Sequence, residues 1–162
     1  MLRYQSRQAF ANLIVLPALA ILLGIARPAQ ADIPFEVLFQ SSNPLRSPAA
    51  GTVVTIRSET ELATLWQSLG RRVAPPQINF HQHTLIVYFL GDRSTGGYRL
   101  SVESVDVRAG TLTLRVIETE PGPCCVTTQT AISPAIWITT IPWRGEVEVT
   151  LRRETRDCCS GS

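Results

Sequence analysis

The chain has 162 residues, of which 44% are hydrophobic, and a formal net charge of +2. All 15 basic residues are arginines, and they are scattered along the chain instead of forming a basic stripe, which excludes the usual electrostatic footprint of a nucleic-acid-binding domain. The length is enough for one hydrophobic core that needs no metal or disulfide to hold it together.

The N-terminal residues 1–31 have the three parts of a secretory signal peptide. Two arginines precede an apolar stretch over residues 11–26, and Ala29-Gln30-Ala31 forms an A-x-A cleavage site. The apolar stretch is short for a membrane span, although a retained N-terminal anchor is the alternative. No cysteine lies near the cleavage site to accept a lipid. We therefore predict cleavage after Ala31 and a periplasmic or secreted chain, 32–162, with no stable membrane anchor.

The first part of the exported chain predicts two short strands, over residues 34–40 and 52–56, and one helix near 59–69. Ser58 and Glu61 have the spacing of a capping box, and Gly70 is a typical stop signal. Apolar residues at i, i+3, i+4 and i+7 give the helix one face to bury against a sheet: Leu62, Leu65, Trp66 and Leu69.

Residues 84–90 are almost all apolar, which is typical of a strand covered on both faces. Gly91 ends this run, and a second strand with apolar residues at alternate positions starts at Tyr98. Two strands joined by a short glycine-rich loop predict a hairpin at the centre of the fold.

Three further segments predict strands: residues 112–116 and 147–152, which alternate, and residues 135–141, which carry Trp137. Seven or eight short strands and one helix predict a mainly β fold, either an antiparallel sandwich or a strongly curled sheet, with the helix packed on it. We expect a single domain over 32–162, with its core over 80–151.

The four cysteines form two adjacent pairs, Cys124-Cys125 and Cys158-Cys159. In an exported protein an even number of cysteines predicts disulfides. Bonds within each pair would be strained, so bonds between the two pairs are favoured, and their connectivity stays open. Adjacent cysteines on an extended chain point to opposite faces, which does not suit a shared metal ion.

Other residues that often carry chemistry lack the partners it would need. His81 and His83 lie on one face of an extended segment, but the sequence contains no third histidine, so a polar start to the next strand is favoured over a metal site. Ser94 has no nucleophile-elbow context. We predict no catalytic residue, metal or cofactor, and hence no enzyme. A thiol or metal enzyme that uses the cysteine pairs with the two histidines is a distant alternative.

The glycine-rich loop is the best candidate for binding a protein. Short loops at the end of a β-sandwich often carry recognition, and Arg and Tyr are enriched at binding hot spots. The alternative is a structural role, with the glycines supplying positive φ and the tyrosine belonging to the core. The predicted partner-binding residues are Arg93, Ser94, Thr95, Gly96, Gly97 and Tyr98.

Four segments together carry a resemblance to a known family: NFHQHTLIVYFLG, GDRSTGGYRLSVESV, ETEPGP and VTTQTAISP. Residues 80–147 resemble the C-terminal domain of the protease complex subunit PrcB family. The resemblance implies a non-enzymatic exported protein that binds and stabilises a secreted protease. Members are often lipoproteins, and the two cysteine pairs are not part of the family pattern.

A fainter likeness supplies the second hypothesis. Residues 94–98 are similar to the Thr-Thr-Gly-Tyr/Phe loop of chagasin-like inhibitors, and Ile141-Pro142-Trp143 is similar to their Arg-Pro-Trp segment. This likeness implies an immunoglobulin-like domain that inhibits cysteine proteases with loops from one end.

Overall fold

The computed structural model describes residues 31–42 and 47–159. The predicted signal peptide lies outside these residues except for Ala31, so its cleavage remains a prediction. No helix in the described ranges has the length and hydropathy needed to cross a membrane. The elements in chain order are β1 (Ala31–Asp32), β2 (Phe35–Ser41), β3 (Thr52–Ile56), α1 (Glu59–Ser68), β4 (Thr84–Phe89), β5 (Arg99–Arg108), β6 (Thr111–Pro121), β7 (Ala135–Thr140) and β8 (Val147–Arg156).

The strands form two four-stranded sheets, with strand orders β1-β5-β6-β8 and β2-β7-β4-β3. Side chains from both sheets meet in one core cluster, in which Ile86 and Ile138 of the second sheet join Leu112 and Leu114 of the first. The prediction of a mainly β sandwich with one helix is therefore confirmed. One departure is that β8 pairs with β6 in parallel, whereas the other strand pairs described are antiparallel.

Strand β4 is one of the two inner strands of the second sheet, and all six of its residues are buried. Ile86 and Tyr88 point into the core between the sheets. Leu85, Val87 and Phe89 point to the opposite face, where they pack with residues of α1. A strand between a second sheet and a helix needs apolar residues on both faces, which is why residues 84–90 show no polar alternation.

The predicted hairpin of β4 and β5 is wrong. β4 pairs with β3 and β7, whereas β5 lies in the other sheet and pairs with β1 and β6. Residues 91–98 therefore cross from one sheet to the other. The true hairpin joins β5 to β6 through Ala109 and Gly110, which both have positive φ, as a tight two-residue turn requires.

Helix α1 begins and ends where its capping residues predict. The side chain of Ser58 accepts a hydrogen bond from the N–H of Glu61 at 3.2 Å. The Glu61 carboxylate reaches back to the N–H of Arg57 at 2.6 Å, one residue before the position that a capping box would use. The helix is anchored on the sheet by Trp66, whose ring lies 5.5 Å from that of Trp137.

Arg71 packs against the aromatic side chains between the helix and the sheet. The Arg71 guanidinium carbon lies 4.8 Å from the ring centre of Trp66, 5.4 Å from that of Phe39 and 5.6 Å from that of Trp137. Contact with aromatic faces offsets part of the cost of removing this cation from water, and the burial lowers the pKa of Arg71. The indole N–H of Trp66 donates to the carbonyl of Val73 at 2.6 Å, so the chain after the helix is fixed to the same cluster.

Candidate functional site

The predicted binding residues lie on the crossing between the sheets, which we call the site loop (residues 91–98). It packs along the segment that connects β6 to β7, which we call the cystine segment (residues 122–134). Arg93 and Ile132 exchange two backbone hydrogen bonds, of 2.8 and 2.9 Å. The N–H of Gly96 donates to the carbonyl of Thr128 at 2.9 Å. The site loop is thus held to the cystine segment by backbone hydrogen bonds at two positions, Arg93 and Gly96.

The residues of the site loop differ in solvent exposure, and therefore in how much surface each offers to a partner. Ser94 and Gly97 are exposed, Thr95 and Tyr98 are half-buried, and Gly96 is buried against Thr128. Gly97 has a φ of +94°, where an L side chain is strained. The exposed part of the loop is therefore small, and its backbone conformation depends on glycine.

Arg93 points into the protein, towards the buried carboxylate of Glu118. Its Nε donates to Glu118 Oε1 at 2.8 Å, and its second guanidinium nitrogen lies 2.7 Å from the same oxygen. The other carboxylate oxygen accepts from Arg153 Nε at 3.1 Å. The Glu118 side chain has no exposed surface, while those of Arg93 and Arg153 are 21% and 64% exposed. Arg93 therefore anchors the loop, and only a fifth of its side chain faces solvent.

This buried ionic cluster affects two neighbouring groups. The hydrogen bond and the negative charge of Glu118 raise the pKa of Arg153. Burial, and then the charge of Glu118, raise the pKa of Tyr88. The Arg93 guanidinium also lies 5.5 Å from the ring centre of Tyr98, so the cluster contacts the last residue of the site loop as well.

A groove of about 660 Å³ runs beside the loop. It is lined by Gly96, Gly97 and Tyr98 of the site loop and by polar residues of the neighbouring strands, among them Gln40 of β2, Thr119 of β6 and the exposed Arg99 of β5. Hydroxyl and amide groups can donate and accept hydrogen bonds to a peptide without the desolvation cost of a charge. The groove can therefore accept a polar segment of another protein.

The predicted disulfides between the two cysteine pairs are confirmed. Cys124 is bonded to Cys159, and Cys125 to Cys158, with Cα atoms 5.2 and 5.0 Å apart. They join the cystine segment to the chain after β8, and Val126, beside them, is 98% exposed. With all four cysteines bonded, a thiol nucleophile would first require reduction.

The segment around Trp143 is far from the site loop. The N–H of Trp143 donates to the hydroxyl of Thr84, the first residue of β4, at 2.8 Å, whereas the site loop follows the last residue of β4. Six residues of strand separate the two by about 17 Å. The expectation that both segments lie at one end, as in chagasin-like inhibitors, is wrong.

The two histidines also lie at this opposite end. His81 and His83 are exposed in a turn in which the N–H of His83 donates to the carbonyl of Asn79 at 2.9 Å. Within the described ranges, no group of three or more His, Cys, Asp or Glu side chains is placed to hold a metal ion.

The sequence reasoning missed Glu118 and Arg153. A signal was present, because Glu118 continues the series Leu112, Leu114, Val116, which are buried on one face of β6. A carboxylate in phase with a buried series needs a cation beside it, and the structure supplies two.

The architecture defines a disulfide-bonded β-sandwich in which one short loop and its groove form the candidate binding surface. Residues 84–140, which run from β4 to β7 and include the site loop, match the family model described as PrcB C-terminal. The resemblance to the PrcB family is thus confirmed over this segment, about a third of the chain. No curated protein and no solved structure gives a significant match.

Proposed function

We propose that this chain is a non-enzymatic, exported protein-binding domain that acts as an accessory, stabilising subunit of an extracytoplasmic protease complex. The observation that carries the proposal is the match of residues 84–140 to the PrcB C-terminal family, because the matched segment contains the whole site loop. Two disulfides are consistent with an oxidising compartment outside the cytoplasm.

The candidate contact is the exposed face of the site loop together with the adjoining groove. Backbone hydrogen bonds, the Arg93–Glu118 pair and the cystine segment hold the loop in one conformation. A loop that is already ordered loses little conformational entropy on docking, which favours affinity. Tyr98 lies half-buried in the groove wall and offers an aromatic face to a partner.

The test is co-purification of the tagged protein from the secreted or periplasmic fraction of its native cells, with protease activity measured in the bound material. Ser94→Arg places a long charged side chain on the exposed loop without touching Arg93. Gln67→Arg adds the same side chain to the exposed surface of α1 and is the matched control. We expect Ser94→Arg to abolish capture of the protease, Gln67→Arg to retain it, and both variants to melt like the wild type.

The same material distinguishes stabilisation from inhibition. We expect the captured protease to remain active and to lose activity more slowly than protease freed from this chain. Capture that Ser94→Arg leaves intact would refute the contact. Stoichiometric loss of protease activity on binding, or turnover of a small molecule by the purified chain, would refute the function.

A further inference from the structure

The two sheets end in four edge strands, and three of these have features that oppose pairing with another chain. β1 has two residues within the described range, and β2 is interrupted by a bulge between Val37 and Phe39. β8 carries charged residues along its length: Glu148, Arg152, Arg153, Glu154 and Arg156. Charges, bulges and short length are the usual protections of a sheet edge.

Strand β3 has none of these protections. Its sequence is TVVTI, without charge or proline, and its register with β4 is continuous from Thr52 opposite Phe89 to Ile56 opposite Leu85. It is the last strand of its sheet, so alternate residues direct their N–H and C=O groups away from β4, and β8 of the other sheet lies near β3 without pairing with it. A β-branched, uncharged edge of this kind is a template for another strand.

A groove of about 400 Å³ lies between this edge and helix α1. Val54, Thr55 and the buried Ile56 line it on the strand side, and the helix contributes Leu65 and the hydroxyl-bearing residues Thr64 and Ser68. Its one ionisable side chain is Glu61, near the start of the helix. The groove therefore suits uncharged side chains along its length and a cation only beside Glu61.

We propose that an extended segment of a partner protein pairs with the free edge of β3 as a fifth strand and places aliphatic side chains in the groove beside α1. Backbone hydrogen bonds to β3 provide affinity, and the groove selects the side chains at alternate positions. The five residues of β3 accommodate a segment of about five residues, or ~17 Å. A lysine or arginine at the end of the segment pairs with Glu61.

A second copy of this chain fits the groove less well. Pairing through the same edge of two copies is isologous, so each copy would bring its own α1 and Glu61 to the other. No residue lining the groove is positively charged to receive that carboxylate. The charge of the groove favours a partner segment that ends in a cation.

This surface goes beyond the proposed function and does not depend on it. The residues that line the β3 groove and those that line the groove of the site loop have no member in common. Each surface can therefore be disrupted without altering the other.

The experiment selects peptides from a phage-displayed library of random linear nonapeptides on the purified exported protein. Enriched peptides are synthesised with a fluorophore and titrated by fluorescence anisotropy. We expect aliphatic residues at alternate positions, and slower hydrogen exchange at residues 52–56 when peptide is bound. Thr64→Arg, in the groove wall, should weaken binding by about tenfold or more, because its longer side chain fills the groove and its guanidinium competes with the cation of the peptide for Glu61, three residues earlier on the helix. Gln67→Arg, elsewhere on α1, should change it by less than about twofold.

Three results would overturn the proposal: no enrichment of peptides, enriched peptides that bind Thr64→Arg as well as the wild type, or a wild-type dimer that Thr64→Arg dissociates in sedimentation. If Thr64→Arg melts below the wild type, Ser68→Arg tests the same wall one helical turn further on. Ser94→Arg should leave peptide binding unchanged, so failure of the site-loop proposal and failure of this one are distinguishable.

Discussion

Truncating Arg93 to alanine should destabilise the protein substantially, although Arg93 lies on a loop. The substitution removes the guanidinium that contacts Glu118 Oε1 through two nitrogens. Glu118 has no exposed surface, so water can reach its carboxylate only through the space that the truncated Arg93 side chain leaves. Arg153 still satisfies the second carboxylate oxygen, which limits the damage.

The magnitude follows from these contacts. Removing a partner of a buried charged group costs about 1.5–3 kcal/mol, less than the ~3–5 kcal/mol seen when a buried ion is left with no partner. Loss of the guanidinium from the face of Tyr98 adds about 0.5–1 kcal/mol. We expect a decrease of about 2–4 kcal/mol in the free energy of unfolding, which at ~4 °C per kcal/mol lowers Tm by ~8–16 °C in a domain of this size.

The assay is thermal and urea unfolding followed by circular dichroism, with Arg99→Ala as the matched control. Arg99 is exposed and forms no ion pair among the described residues, so its truncation should change stability by less than about 0.5 kcal/mol. Replacing both partners, Arg93→Met with Glu118→Leu, should recover part of the loss because no buried carboxylate remains. If Arg93→Ala unfolds within about 1 kcal/mol of Arg99→Ala, the buried pair does not anchor the site loop.

Two further predictions concern residues on either side of the loop. In urea unfolding, Gly91→Ala should lower the free energy of unfolding by about 1–3 kcal/mol more than Gly110→Ala does. Both glycines have φ near +85°, but only at Gly91 would the new Cβ meet another residue, lying 2.8 Å from the Cα of Ala50. Equal losses of stability in the two variants would contradict this prediction. Tyr88 has a raised pKa, so above pH ~10 the unfolded chain releases the phenolic proton first and stability falls as pH rises towards the folded pKa. Tyr88→Phe should therefore lose less stability between pH 9 and pH 11 than the wild type, and an unchanged slope would show that another group causes the loss.

The elements themselves could be predicted because their signals are local. The Ser58 cap, the spacing of Leu62, Trp66 and Leu69, and the alternation in β6 each follow from the geometry of a single helix or strand. Burial of α1 against Trp137 then follows from its apolar face. The pairing of the cysteines was also predictable in outline, because adjacent cysteines disfavour bonds to each other.

Strand partners were harder to predict because periodicity does not specify which strand lies alongside. The apolar run of β4 predicted burial on both faces, but both a strand in a helix-covered sheet and a strand in a hairpin core need apolar residues on both faces. The pattern therefore does not distinguish the two arrangements. Which alternative forms depends on β3 and β7, far away in sequence, pairing with β4 more favourably than β5 does. The role of Arg93 was missed for the same reason, since Glu118 lies 25 residues further along the chain.

The parallel pairing of β6 and β8 links the disulfides to the site loop. Because the two strands run in the same direction and end opposite each other, at Pro121 and Arg156, the segments that follow them emerge side by side. Two cysteines on each segment then lie within bonding distance, whereas an antiparallel pair would send the segments to opposite ends. The cystine segment fixed in this way carries Thr128 to Gly96 of the site loop. The strand direction that local patterns could not predict is therefore what allows cysteines at the C-terminus to stiffen a loop that begins more than 60 residues earlier in the chain.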